Sequence, residues 1–377
     1  MAMVNEARLV GLFKQLCLIN APALGERASV SFVKDYLSKL GLNVAEDRAG
    51  EKIGGDANNL IATLPGNKPG APRIFLSAHF DTVEPTEGLV IEERNGVLYS
   101  ASDTILGADD KGGMAPAIEA VHMLLEQKPE HGDVVLLFSV AEEIGLKGAA
   151  AMDIQDLNLD FGYVLDTGPP AGSFVNRTAT HDRLEVIVYG KPAHAGKDPE
   201  NGINAIQVAA DAISKMNLGR NGPETTSNFG IIEGGTAVNV VCPFVRLRGE
   251  ARSTDVGELD RQIAHMRECF ETAAAKWGAK VTINHHRHYS AYTIEETAPV
   301  IQVALRAAKA MGLGGQLRTT LGGSDANVFN AKGLPSIVVA TGMEHIHTHD
   351  ECISIASLNQ TAELAYRLII EAARQEA

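Results

Sequence analysis

Imidazoles and carboxylates recur in this chain where apolar runs end. AHFDT sets His79 and Asp81 one residue apart, so on an extended backbone both point to one side. That suits a histidine ligand steered by a carboxylate, or equally a hydrogen-bonded His–Asp pair with no metal. GADDKGG puts Asp109 and Asp110 in a glycine-flanked turn ahead of a helical pattern, where they either reach another segment or cap the helix. VAEEIGLKG follows directly on the run VVLLFS and delivers Glu142 and Glu143 to a strand end, where burying charge is costly; a solvated loop is the plain alternative. VLDTG ends a further strand at Asp166, as a ligand or a turn former, and HIHTHDE supplies His345, His347 and His349, with Glu351 beyond. An inventory of imidazole and carboxylate without thiolate suits zinc, and in two-metal hydrolases a shared carboxylate can hold two ions about 3.5–4 Å apart.

The elements that must carry these residues are legible from periodicity. NLIATLP, RIFLSAHF, DVVLLFSV and FGYVLD are apolar runs of strand length, and GGMAPAIEAVHMLLEQ has helical spacing. Strands interleaved with helices predict an α/β layer with a mostly parallel sheet, whose ligands bind beyond the carboxyl ends of the strands. From about Arg177 the texture changes. RLEVIVYG alternates like a half-exposed strand, INAIQVAADAISKM is amphipathic, and NFGIIEGG, TAVNVV and FVRLRGEARS read as further strands. ELDRQIAHMRECFETAAAKW is a long helix pattern before the strand KVTINHHRHY. One sheet face covered by two helices predicts a smaller α+β domain of ferredoxin-like type. The α/β texture then resumes with APVIQVALRAAKAMG, PSIVVAT and SLNQTAELAYRLIIEAARQ. The expected organisation is a catalytic domain in two parts, 1–177 and 293–377, interrupted by an insert at 178–292.

Composition narrows the function classes. The 377 residues suffice for two domains. Lys and Arg total 33 against 47 Asp and Glu, and the net charge of −14 disfavours nucleic acid as a partner. No uncharged apolar stretch approaches the length needed to cross a bilayer, and the start MAMVNEARLVGLFKQL lacks the pattern of a signal peptide. Cys17, Cys242, Cys269 and Cys352 are far apart without paired spacing, which disfavours a thiolate metal site or redox dithiol and makes a reducing cytoplasm the expected compartment.

Taken in order, AHFDT, GADDKGG, AEEIG, LDTG and the HTHDE segment resemble the co-catalytic zinc metallopeptidases that include peptidase T, glutamate carboxypeptidase and succinyl-diaminopimelate desuccinylase. The resemblance spans nearly the whole chain, and GADDKGG, GKPAHAG and GGSDAN are most similar to peptidase T-like proteins. It implies two zinc ions, with cobalt or manganese as competitors. His79 and Asp166 would hold one ion, Glu143 and His347 the other, and Asp109 would bridge both. Asp81 would orient His79, and Glu142 would be the general base for a metal-activated water. The choice of His347 rests on its place four residues before Glu351. The resemblance further implies that His194, in KPAHAG, assists the oxyanion, in some members across a dimer interface, and that Asn239 and Arg252 contact a substrate carboxylate. GGSDAN would be a loop contacting substrate. Ser324 within it lacks the G-x-S-x-G elbow of a nucleophile.

The expected function is therefore hydrolysis of short peptides, most like a tripeptide aminopeptidase. A carboxypeptidase or an N-acyl amino acid amidohydrolase uses the same metal shell, and a non-catalytic metal-binding module is a remote alternative. A nucleotide-dependent enzyme has no support from G-x-G-x-x-G or G-x-x-x-x-G-K-[ST] motifs. For the lid residues to meet a substrate over the metals, the insert must close about hinges near Thr178 and Ser290, and it is also where a homodimer would form.

Overall fold

Four apolar runs become the parallel centre of an eight-stranded sheet. Val134–Ser139, Ile74–His79, Phe161–Val164 and Ser336–Val339 lie side by side in that order, every residue buried. Both faces of such strands must meet apolar neighbours, which is why they read as continuous rather than alternating runs. The sheet is mixed at its edges. Leu60–Leu64 and then Asn43–Glu46 add antiparallel on one side, and Ser173–Arg177 adds antiparallel on the other, next to Gln316–Thr319. Residues 4–374 are described in this computed structural model.

The registers His79↔Ser139, Ser77↔Val164 and Val338↔Val164 align the carboxyl ends of the four central strands. The residues just past those ends therefore share one edge of the sheet. Helix Ala108–Gln127 packs against the Ile74–His79 strand and is flanked by Glu6–Leu18 and Ile355–Ala373. It is apolar nearly all round and buried, as a helix with neighbours on several sides must be. A four-stranded antiparallel sheet, absent from the sequence expectations, runs Met343–Glu344, Cys352–Ser354, Val97–Ser100, Ile91–Arg94. Its first two strands form a hairpin whose loop is the histidine segment 345–351.

Arg177–Tyr292 together with Thr320–Gly323 form a second unit. Its five-stranded antiparallel sheet runs Gly219–Gly222, Thr225–Gly234, Phe244–Ser253, Thr180–Tyr189, Lys280–Tyr289. Helices Ala205–Ile213 and Val256–Trp277 bury Val208, Ala212, Phe270 and Ala273 against Val186, Val188, Val245 and Leu247. Two expectations need correction. TAVNVV is a loop, touching other backbone through one bridge, His194↔Val240, and Val238 is fully exposed; with no continuous partner strand, its apolar residues do not build a ladder. Thr320–Gly323, taken from sequence as part of the catalytic domain, clusters with the second unit, where Leu321 O accepts from Arg252 Nη1 at 3.2 Å.

The central sheet tolerates no added volume at Gly162. A Cβ there would lie 2.1 Å from Phe75 Cδ1, and the Phe75 ring is itself locked edge-on against Phe329 at 5.2 Å. Gly162→Ala is expected to destabilise the protein by about 1–3 kcal/mol, the usual cost of overpacking, seen as a lower melting temperature. An unchanged melting temperature would mean that Phe75 has room to move.

Candidate metal centre

Three of the four central strands hand a donor to the same edge. His79 closes its strand, Glu142 and Glu143 follow Ser139, Asp166 follows Val164 by two residues, and Asp109 enters from the turn that opens helix Ala108–Gln127. Asp109 and Asp110 keep non-helical backbone angles, so the expected turn is present although the helix is counted from Ala108. Glycine is required at 113, where a Cβ would stand 2.0 Å from Leu165 O and 2.5 Å from Asp110 Oδ1. The turn can then press against the neighbouring strand end.

Two groups of donor atoms result. One atom each from His79, Asp109 and Asp166 lie within 4.8 Å of one another, as do one each from Asp109, Glu143 and His347. Asp109 belongs to both. Its Oδ1 is 3.1 Å from His79 Nε2, and its Oδ2 is 3.3 Å from His347 Nε2. His347 Nε2 is also 3.2 Å from Glu143 Oε1, a buried oxygen with no aligned hydrogen-bond donor. Of the three loop histidines, His347 faces these carboxylates, whereas His349 is held between Glu84 (2.9 Å) and Asp103 (3.1 Å).

Protonation reflects this crowding. Burial alone would raise the Asp109 carboxyl, but His347 and His79 hold it below the usual range. Burial lowers His79, yet its hydrogen bonds to Asp109 and Asp81 raise it well above an ordinary imidazole. His347 is pushed up to about 10 by Asp109 and then Glu143. Asp110, Glu142 and Asp166 are raised well above the carboxylate range, first by burial; the charge of Asp109 raises Asp110 and Asp166 further, and that of Asp325 raises Glu142. Burial likewise lifts Asp325 to about 6. So many carboxylates in one buried place, an undonated Glu143 oxygen among them, fit divalent cations held between the donors.

Four carboxylates that join neither donor group grip backbone. Asp81 Oδ1 and Oδ2 accept the amides of Glu142 (2.9 Å) and Glu143 (3.0 Å). Glu351, fully buried, accepts the amides of Gly107 (2.7 Å) and Asp109 (2.9 Å), and burial pushes its carboxyl up to about 7. Asp110 accepts the His79 amide at 3.3 Å, and Glu26 accepts that of Ala141 at 2.8 Å. Lys111 Nζ donates to the carbonyl of Phe80.

The expected orientation of His79 by Asp81 takes a different form. Nδ1 is 2.9 Å from the Asp81 carbonyl oxygen and 3.4 Å from the carboxylate, whose shorter contacts go to the 142–143 amides. Ser324 caps helix Asp325–Ala331, with its Oγ accepting the Ala326 amide at 3.3 Å, and Asp325 turns inward to Ser139. In the second unit, His194 and Asn239 sit on one exposed patch, where the amide of Ala195 donates to Asn239 O at 3.0 Å. Arg252 directs Nε and Nη2 at Glu250, both at 3.1 Å, and Nη1 at Tyr289 Oη (3.3 Å) and Leu321 O (3.2 Å). Sequence reading passed over Glu26, Asp325 and the amide-holding role of Glu351. A single acid in LGERAS carries no signal, although Glu351 and Asp325 lie inside segments already marked by chemistry.

Known proteins resemble this chain over nearly its whole length. The family model described as Peptidase family M20/M25/M40 matches residues 75–371, and the chain belongs to that family. It is 39% identical to the Bacillus subtilis protein YqjE, over 99% of this chain and 100% of that one. It resembles the crystal structure of the aminopeptidase PepT from Bacillus cereus with a TM-score of 0.90 and 39% identity, covering 99% and 100% of the two chains. A tripeptidase from Staphylococcus aureus matches with a TM-score of 0.94 and 36% identity at the same coverage.

Cations bound among these donors would relieve the carboxylate repulsion only in the folded state. Adding zinc to chelator-treated protein is expected to raise its melting temperature, with a gain of about 2.7 kcal/mol at a free ion concentration a hundredfold above Kd. Differential scanning calorimetry checks this, and alanine at Asp109, common to both groups, is expected to remove most of the gain.

Proposed function

We propose that the chain is a dinuclear metallopeptidase, with zinc as the first expectation, that hydrolyses amide bonds of short peptides and is most like a tripeptide aminopeptidase. The observation that carries this reading is the pair of three-residue donor groups sharing Asp109, with Glu142 buried beside them. His79, Asp109 and Asp166 would hold one ion, and Asp109, Glu143 and His347 the other. Ions so held would acidify a water and polarise the scissile carbonyl.

The remaining chemistry belongs to side chains. Glu142 accepts a proton from the attacking water on a carboxylate oxygen as the water oxygen bonds to the carbonyl carbon. When the C–N bond breaks, the same oxygen returns the proton to the departing amine nitrogen. Asp81, by holding the amides of both 142 and 143, gives adjacent residues their separate tasks. In the second unit, His194 assists the developing oxyanion, and Asn239 and Arg252 contact the substrate. Only one N–H of Arg252 is left over from the bonds to Glu250, Tyr289 and Leu321. Similarity to PepT and a tripeptidase, each above 35% identity, supports a short substrate with a free amino terminus.

Two chains would pair through the second unit. Gly219–Gly222 covers Thr225–Ser227 only, and past that point the Thr225–Gly234 strand exposes Ile231 (44%) and Ile232 (58%). Sedimentation velocity is expected to give a dimer, and Ile232→Lys a monomer.

Glu142→Gln is expected to lower kcat on a tripeptide by about 10²–10⁴-fold without loss of bound metal, measured by turnover and elemental analysis. Undiminished turnover would remove Glu142 from the mechanism. In the same assay, tripeptides with free amino termini should be cleaved and N-acetylated ones spared. Cleavage of the blocked peptides with a strict need for a free carboxylate would make the enzyme a carboxypeptidase.

A further inference from the structure

Glu26 is fully buried at the start of helix Arg27–Lys39, yet its side chain makes no bond to that helix. Oε1 instead accepts the amide of Leu24 at 3.0 Å and, across 115 residues of sequence, the amide of Ala141 at 2.8 Å. Ala141 has φ +52°, in the left-handed region, although it carries a Cβ. A non-glycine residue stays there only when its surroundings compel it. Its carbonyl accepts the Lys147 amide at 3.0 Å, and the next residue is Glu142.

Successive amides of this turn are held by side chains from elsewhere. Val140 donates to Asn59 Oδ1 at 3.0 Å, Ala141 to Glu26, and Glu142 and Glu143 to Asp81. Among these partners Glu26 alone addresses the strained residue. An unconstrained alanine would relax to the right-handed or extended region, rotating the following peptide and the direction in which Glu142 leaves the backbone.

We infer that Glu26 is a positioning residue for the reaction, holding Ala141 in the left-handed conformation that aims the Glu142 carboxylate. The inference rests on the proposed role of Glu142 as general base. The hydrogen bonds of the Glu26 side chain go to Leu24 and Ala141, not to the residues assigned to the ions. Its loss should therefore act on kcat, not on KM or metal content.

The test measures kcat, KM and bound metal on a tripeptide that the parent enzyme turns over. Glu26→Met, of similar size without an acceptor, is expected to lower kcat by about 10–100-fold, the scale of a misplaced catalytic group, with KM and metal unchanged. Glu26→Gln keeps the acceptor and should stay close to the parent. Adding Ala141→Gly, which accepts a left-handed φ at no steric cost, should restore most of the kcat lost in Glu26→Met. If Glu26→Met does not fold, Glu26→Asp serves: it keeps the buried charge but is one methylene too short to reach Ala141, and it should show the same loss and the same rescue. Parent-like kcat in the folded variant, a loss that Ala141→Gly leaves untouched, or a loss accompanied by departure of metal would overturn the inference. Glu142→Gln in the same assay separates the two levels. If it is fully active the mechanism itself fails, whereas an inactive Glu142→Gln beside a fully active Glu26→Met removes only the role of Glu26.

Discussion

Buried carboxylates accepting main-chain amides of other segments hold the carboxyl-terminal edge of the central sheet together. Glu351 grips 107 and 109, Asp110 grips 79, Asp81 grips 142 and 143, and Glu26 grips 141. Each bond joins one donor-bearing loop to another or to its surroundings. The loops are remote in sequence, and strand pairing alone stops short of their tips. A carboxyl acceptor with two amide donors satisfies backbone that would otherwise be buried unpaired, and it ties the loop to a distant segment.

The same groups explain how so much negative charge resides at the edge of an apolar sheet. His79 and then the 142–143 amides favour the ionised form of Asp81, and His347 and His79 favour that of Asp109, while Asp110, Glu142 and Asp166 are left with raised affinities for protons.

Parallel strands make the arrangement economical. The registers align the strand ends, so a short extension past each one reaches the same region, whatever the length of chain between. The histidine loop arrives by another route, on a hairpin of the small antiparallel sheet, and Glu351 fastens it to the Asp109 turn.

Much of this was written in the order of residue types. Apolar runs ending in His79, the 142–143 pair and Asp166 announce buried strands with chemistry at their tips, because periodicity and side-chain type are local properties. The switch in texture near Arg177 announces a second unit for the same reason. Tertiary structure decided which atoms meet. His347 and not His349 faces Asp109, the Asp81 carboxylate serves the 142–143 amides more closely than it serves His79, TAVNVV finds no partner strand, and Glu26 reaches Ala141. Those outcomes depend on hydrogen-bond partners brought together from distant parts of the chain, and on backbone angles such as that of Ala141, which no alanine announces in sequence.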